Sequence, residues 1–349
     1  MTNQNKSQLF LLIGFPLILL VLFLANISIG SVKIPVWKVG EILLGMEGTK
    51  SSWINIIWQF RLPKAITATL AGAALSVSGL QMQTLFRNPL AGPFVLGITS
   101  GASLGVALLV MAGHMVGSVI LYSGTFGHWL TIIAASIGSA LVLVLVVIVS
   151  IRIKNSMTLL IVGLMFGSAT SALVSILQFF SDKEQIQAYL IWTFGSLGGL
   201  SWKELNAFVP IAILGLIITL TSIKPLNALL LGENYAQSMG MKLKKTRFWL
   251  IFSTSLLAGG VTAFCGPIAF IGLAVPHLTR LLFNSSDHRL LVPAVIFVGA
   301  AIMLVCDMVA QLPGSEYVLP INAITSLVGA PVIIWIILRK RNIRNSFAG

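Results

Sequence analysis

The chain is dominated by long apolar runs, each near the roughly 20 residues that carry an α-helix across a bilayer. They fall at about 8–29, 64–86, 94–112, 129–151, 157–180, 205–222, 247–265, 268–283, 291–311 and 321–338. In hydrocarbon every backbone N–H and C=O must find its partner inside the protein, so runs of this kind fold as helices. The expected fold is all-α: a polytopic membrane protein with about ten transmembrane helices in one compact bundle. The third and eighth runs are short and Gly-rich, and they mark the weakest spans. Composition agrees, since 57% of residues are apolar and 9% charged. A soluble domain carries roughly 25% charged residues, so that class is excluded. Leu9 to Ala25 is too long for a signal-peptide core and no small-residue cleavage pattern follows it, so it is expected to remain as the first span. No linker interrupts the series, and a single transmembrane domain over 1–349 is expected.

The net charge of +13 does not point to nucleic acid, because the basic residues lie between the apolar runs and not on one soluble face. Lys and Arg in that position orient a membrane protein. Placing both termini in the cytoplasm puts Arg87, Arg152, Lys154, Lys224, Lys242, Lys244, Lys245, Arg247, Arg289 and the basic tail inside. The first outer loop, with Lys33, Lys38, Lys50, Arg61 and Lys64, breaks the rule locally. Two short amphipathic patterns, Ile34–Leu44 and Leu229–Met241, each fit a helix on the membrane surface, and for the first that is the preferred reading.

Most other motifs carry little. Gly45-x-x-Gly48-Thr49-Lys50-Ser51 lacks the spacing of a phosphate-binding loop. Cys265 and Cys306 sit in apolar runs without metal-ligand spacing, and His114 and His128 have no carboxylate or Cys partner. Asp307 is the one acid well inside an apolar span. An intramembrane carboxylate is a functional candidate by default, and either a structural role or a proton relay or substrate contact fits it. Gly72, Ser76 and Gly79, and Gly163, Gly167, Ser171 and Ser175, form small-residue stripes. Such stripes let helix backbones approach closely, or line a path for a bulky solute.

Three longer constellations are more specific. The first runs Arg61-Leu62-Pro63-Lys64, Ala71-Gly72-Ala73-Ala74-Leu75, Ser78-Gly79, Gln83 and Arg87-Asn88-Pro89-Leu90-Ala91-Gly92-Pro93. The second is Leu231-Gly232-Glu233, Ala236 and Gly240. The third runs from Gly266 through Pro276-His277 and Arg280 to Asp287-His288-Arg289.

From the first span to the C-terminus the chain resembles the FecCD family of permeases, the membrane subunits of ABC importers for ferric siderophores, haem and cobalamin. The resemblance implies a bacterial cytoplasmic membrane protein paired with a second permease chain as a homodimer. Two cytoplasmic ATPase subunits would use ATP and Mg, and an outer substrate-binding protein would deliver the substrate. No cofactor, metal or catalytic site is expected on this chain. The segment at about 226–245, with Leu231, Gly232, Glu233, Ala236 and Gly240, resembles the family's ATPase-coupling motif. Asn88, Leu90, Asn155 and Ser156 resemble its cytoplasmic gate, and Arg61 and Lys64 its docking contacts for the binding protein. Pro276, His277, Arg280, Asp287, His288 and Arg289 form a structural motif that locks an inner turn. Two positions depart from the pattern. Gln311 stands where the family has Arg, which implies the loss of an outer cation, and Asn322 stands where it has Gly. The implied function is a ferric-siderophore permease, with haem or cobalamin as alternatives and a proton-coupled transporter as the rival class.

Overall fold

The computed structural model describes residues 3–46, 50–111, 124–152, 156–312 and 317–338. Among them there are fourteen α-helices and no strand, as the apolar runs predict. In chain order they are α1 (Asn3–Ser28), α2 (Val36–Leu43), α3 (Ser51–Leu85), α4 (Ile98–Met111), α5 (Gly124–Arg152), α6 (Ser156–Phe179) and α7 (Lys183–Thr193). They continue with α8 (Trp202–Thr221), α9 (Ile223–Leu230), α10 (Glu233–Ser238), α11 (Leu243–Cys265), α12 (Ile271–Phe283), α13 (His288–Ala310) and α14 (Ile321–Leu338). Six of these are long and apolar enough to cross a membrane. Four shorter apolar segments, Ile13–Ser28, Ile98–Met111, Ile271–Phe283 and Ile321–Trp335, coincide with the remaining expected spans. The 14 residues of α4 rise only about 21 Å, less than the roughly 30 Å hydrocarbon core.

The helices sort into two compact units, with α3 and α8 contributing to both. One comprises Met1–Ser76, Ser196–Pro210 and Ala269–Gly349; the other comprises Val77–Gly195 and Ile211–Ile268.

In the first unit α1 lies along α13, and α12 and α14 pack beside it. The α3–α13 contact is made by backbone. A side chain at Gly299 would bring its Cβ to 2.5 Å from the Gly72 carbonyl oxygen, and the buried Ser76 lies against the same position. The stripe at Gly72 and Ser76 is therefore a packing surface. One turn of α3, Ile56–Arg61, is wound as a π-helix that ends at Arg61.

In the second unit α4 packs on α5 with equal intimacy. A Cβ at Gly101 would stand 2.5 Å from the Gly138 carbonyl oxygen, and Gly163 of α6 abuts Val95 and Leu96. Ser171 and Ser175, farther along the same stripe, are exposed. Overpacking a closed contact costs typically about 1–3 kcal/mol. Gly101→Val is thus expected to lower the melting temperature of the purified protein by several degrees, and an unchanged value would show that the two helices part without cost.

Deeper in this unit the Gln81 side chain is fully buried. Its Nε2 donates to Thr219 Oγ1 at 2.6 Å and to Ser253 Oγ at 3.1 Å, and its Oε1 accepts from Thr254 Oγ1 at 2.7 Å. Three helices, α3, α8 and α11, are joined by this network. A polar group in an apolar interior is tolerated only when its donors and acceptors are filled, and here they are.

Candidate functional site

The coupling segment begins with α9, whose Leu226 and Leu229 are buried. The chain then breaks at Gly232, where φ is +105° and a non-Gly residue would be strained. The short α10 follows, and Gly240 (φ +86°) ends it in the left-handed region that favours Gly. Glu233 does not point freely outward. Its Oε1 accepts from Arg247 Nη2 at 2.7 Å, and that guanidinium, on the first turns of α11, is 5% exposed. Ala236 is fully buried, so its small size serves packing inside the unit and not close approach of a partner. The exposed large apolar side chains of the segment are Leu231, Tyr235 and Met239. Leu231 and Tyr235, with Arg87 and Met157, border an open groove of about 600 Å³ along Gly232–Tyr235. Arg87 Nη1 comes within 3.5 Å of where a Gly232 Cβ would stand. Arg247 was not singled out from sequence; a cation fourteen residues from the motif's acid is the signal for it.

The gate residues sit on a sharp turn. Arg87, at φ +46°, ends α3, and the Asn88 N–H donates to the Gln83 carbonyl at 3.1 Å. That pattern closes a helix when its last residue turns left-handed. Asn88 Oδ1 then accepts from the Leu90 N–H at 2.9 Å, fixing the turn at Pro89, and Leu90 is 39% exposed. Ser156 begins α6. Asn155 lies outside the described residues, as do His114 and the Gly48-Thr49 part of the loop-like motif.

The structural motif surrounds the start of α13. Pro276, His277 and Arg280 lie on α12, with Pro276 and His277 buried. The Asp287 carboxylate accepts from the Arg289 N–H at 2.9 Å and caps α13, while His288 is fully buried and Arg289 exposed. A carboxylate there satisfies an orphan N–H and meets the positive end of the helix dipole.

The docking pair is placed differently from the expectation. Arg61 is 8% exposed, and its guanidinium donates to the carbonyls of Ile27 at 2.8 Å, Ser28 at 2.9 Å and Val32. Lys64 Nζ lies 3.0 Å from Asp307 Oδ1. In the fold one cation holds the end of α1, and the other neutralises a buried acid. Asp307 is 2% exposed and its second oxygen accepts from Asn26 Nδ2 at 2.9 Å and Gln311 Nε2 at 2.8 Å. A buried charge survives only when paired and hydrogen-bonded, and this one has three donors. The structural role open to Asp307 is the one the geometry supports. Gln311 is likewise a buried donor in this cluster and not a surface position emptied of charge. Asn322 also acquires a partner, its Oδ1 accepting from the Ala269 N–H at 3.0 Å beside Phe270, which holds φ +65°.

The model of the FecCD transport family matches residues 18–339. This chain belongs to the FecCD transport family. The vitamin B12 import system permease BtuC of Klebsiella pneumoniae is 37% identical over 341 residues, which covers 97% of this chain and 96% of that protein. The hemin transport system permease HmuU of Yersinia pestis is 34% identical over 348 residues, covering 98% and 99%. A solved structure described as an inward-facing ABC transporter of metal-chelate type superposes with a TM-score of 0.81 at 30% identity, covering 94% of this chain and 99% of that one. The FecCD chain described here is accordingly a permease subunit of an ABC importer and a multi-pass protein of the inner membrane. Permeases of this family typically pair with one another and with ATPase partners, and they lack an ATPase site of their own.

Proposed function

We propose that this permease carries an intact metal chelate, a ferric siderophore, across the cytoplasmic membrane. The observation that carries the energised part of the reading is the groove along Gly232–Tyr235, stiffened from behind by the Arg247–Glu233 pair. A rigid, partly exposed surface beside a break in the chain suits the ATPase subunits, which would bind ATP and Mg and drive the cycle. An outer binding protein would deliver the chelate to the opposite face, and both termini would be cytoplasmic. Asn88, Leu90, Asn155 and Ser156 would form the inner gate near the partner permease. A chelate with its metal enclosed needs no metal ligands from the channel.

Cobalamin or haem is the second reading, favoured by the near full-length relatives named for vitamin B12 and hemin. Reconstituting the permease with its ATPase and binding protein in liposomes tests both. ATP-driven uptake of a ferric siderophore is the expected result. Uptake of cobalamin or hemin alone would overturn the siderophore reading while leaving the importer intact. Uptake driven by a proton gradient without ATPase subunits would overturn the importer. The gate makes a separate prediction: Leu90→Cys should crosslink to its copy in the dimer in at least one nucleotide state, and failure in every state would remove Leu90 from the gate.

A further inference from the structure

The hairpin between α1 and α2 walls an apolar groove of about 470 Å³. Its lining includes Ile29, Ile34, Pro35, Val36 and Trp37, and Lys33 is its charged member. Val36 and Trp37 are 56% and 70% exposed, whereas Val39 and Ile42 on the same helix are buried in the protein. Beside the Lys38–Glu41 pair, α2 thus turns two large apolar side chains away from the protein, which water does not favour. Arg61 ties this hairpin to the first turns of α3, where Trp53 and Trp58 sit. Trp and Lys of this kind collect where hydrocarbon gives way to headgroups. Arg61 also shapes the groove in advance. It holds the carbonyls of Ile27, Ser28 and Val32, and its Nη2 leaves no room for a side chain at Gly30, since a Cβ there would lie 2.8 Å away.

We propose that this groove holds a phospholipid with an anionic headgroup, its acyl chain against Ile34, Pro35 and Trp37 and its phosphate drawn to Lys33. Apolar walls suit a hydrocarbon chain, and the volume is that of a ligand site. The neighbouring cations are engaged, Lys38 with Glu41 at 2.5 Å and Lys50 over the Trp53 ring at 5.3 Å. Lys33 has no ion pair among the described residues and is the cation left for a phosphate. A water-borne protein partner fits less well, because the surface it would cover is apolar out to Trp37.

The test uses the full chain in phosphatidylcholine nanodiscs doped with phosphatidylglycerol or phosphatidylcholine brominated on the acyl chains. The Trp37 contribution to fluorescence is the difference between the wild type and Trp37→Phe. Brominated phosphatidylglycerol is expected to quench it with about fivefold higher affinity than brominated phosphatidylcholine, the worth of one Lys at an anionic surface. Lys33→Gln should bring that ratio to about one, while Lys203→Gln should leave it unchanged. Absence of quenching by either lipid would place Trp37 in water or under a protein partner and overturn the proposal. Equal quenching by the two lipids, indifferent to Lys33→Gln, would overturn it as well.

Discussion

Lys64→Met is expected to destabilise this protein by about 3–5 kcal/mol, the usual effect of stranding a buried charge by removing its partner. Lys64 and Asp307 are 16% and 3% exposed at their side chains, so water cannot replace the lost cation. Asn26 and Gln311 would remain as neutral donors, which do not neutralise a carboxylate. Folded yield and the unfolding midpoint in detergent should both fall sharply. The double variant Lys64→Met with Asp307→Asn should recover most of the loss, because no charge is then left in the interior. A single variant that melts like the wild type would show that the ion pair does not hold α3 to α13. Gln311→Ala makes the finer point: its amide is a buried donor, and its removal should cost about 1–3 kcal/mol where a surface amide would cost almost nothing.

The second large effect is expected at the coupling segment. Arg247→Met removes a charge-assisted hydrogen bond from Glu233, worth about 1.5–3 kcal/mol. That lowers the equilibrium constant for the ordered segment by a factor of roughly 10–150. The helix α11 should still insert, since Met suits an apolar surrounding better than Arg. ATP-driven uptake and co-purification with the ATPase subunits should therefore fall together while the amount of membrane-inserted permease holds. Ala236→Glu should act in the same direction and harder, as a carboxylate would enter a fully buried site. Wild-type uptake by Arg247→Met would mean that the pair does not shape the surface the ATPase subunits use.

The spans were legible in the sequence because each is a local property. A run such as 291–311 needs no distant partner to be read as a helix, and α13 lies there. Gly232 and Gly240 stand out in the sequence only through the resemblance to the coupling motif, and their positive φ belongs to the fold. The partners of Asp307 were not legible, because Asn26, Lys64 and Gln311 come from two other helices and the end of its own, and Asn26 is 281 residues away. Nor was the burial of Arg61. An Arg at a helix start reads as surface charge unless one knows that the carbonyls ending α1 converge on it. Gln81 went unnoticed beside the motif residue Gln83. A lone amide inside a span, with Thr219, Ser253 and Thr254 in others, is the pattern that would have flagged it.

The composition of α3 has a consequence for how the chain is made. It is the least apolar of the six long spans, and most of it is enclosed by other helices. Its Lys64 is also synthesised about 240 residues before Asp307, roughly 12–50 s at typical rates. During that interval the cation has no carboxylate, and lipid is a poor host for it. Early α3 is therefore expected to stay near the headgroups until α13 arrives. Truncations that stop short of α13 are therefore expected to be degraded and not to accumulate as partial bundles.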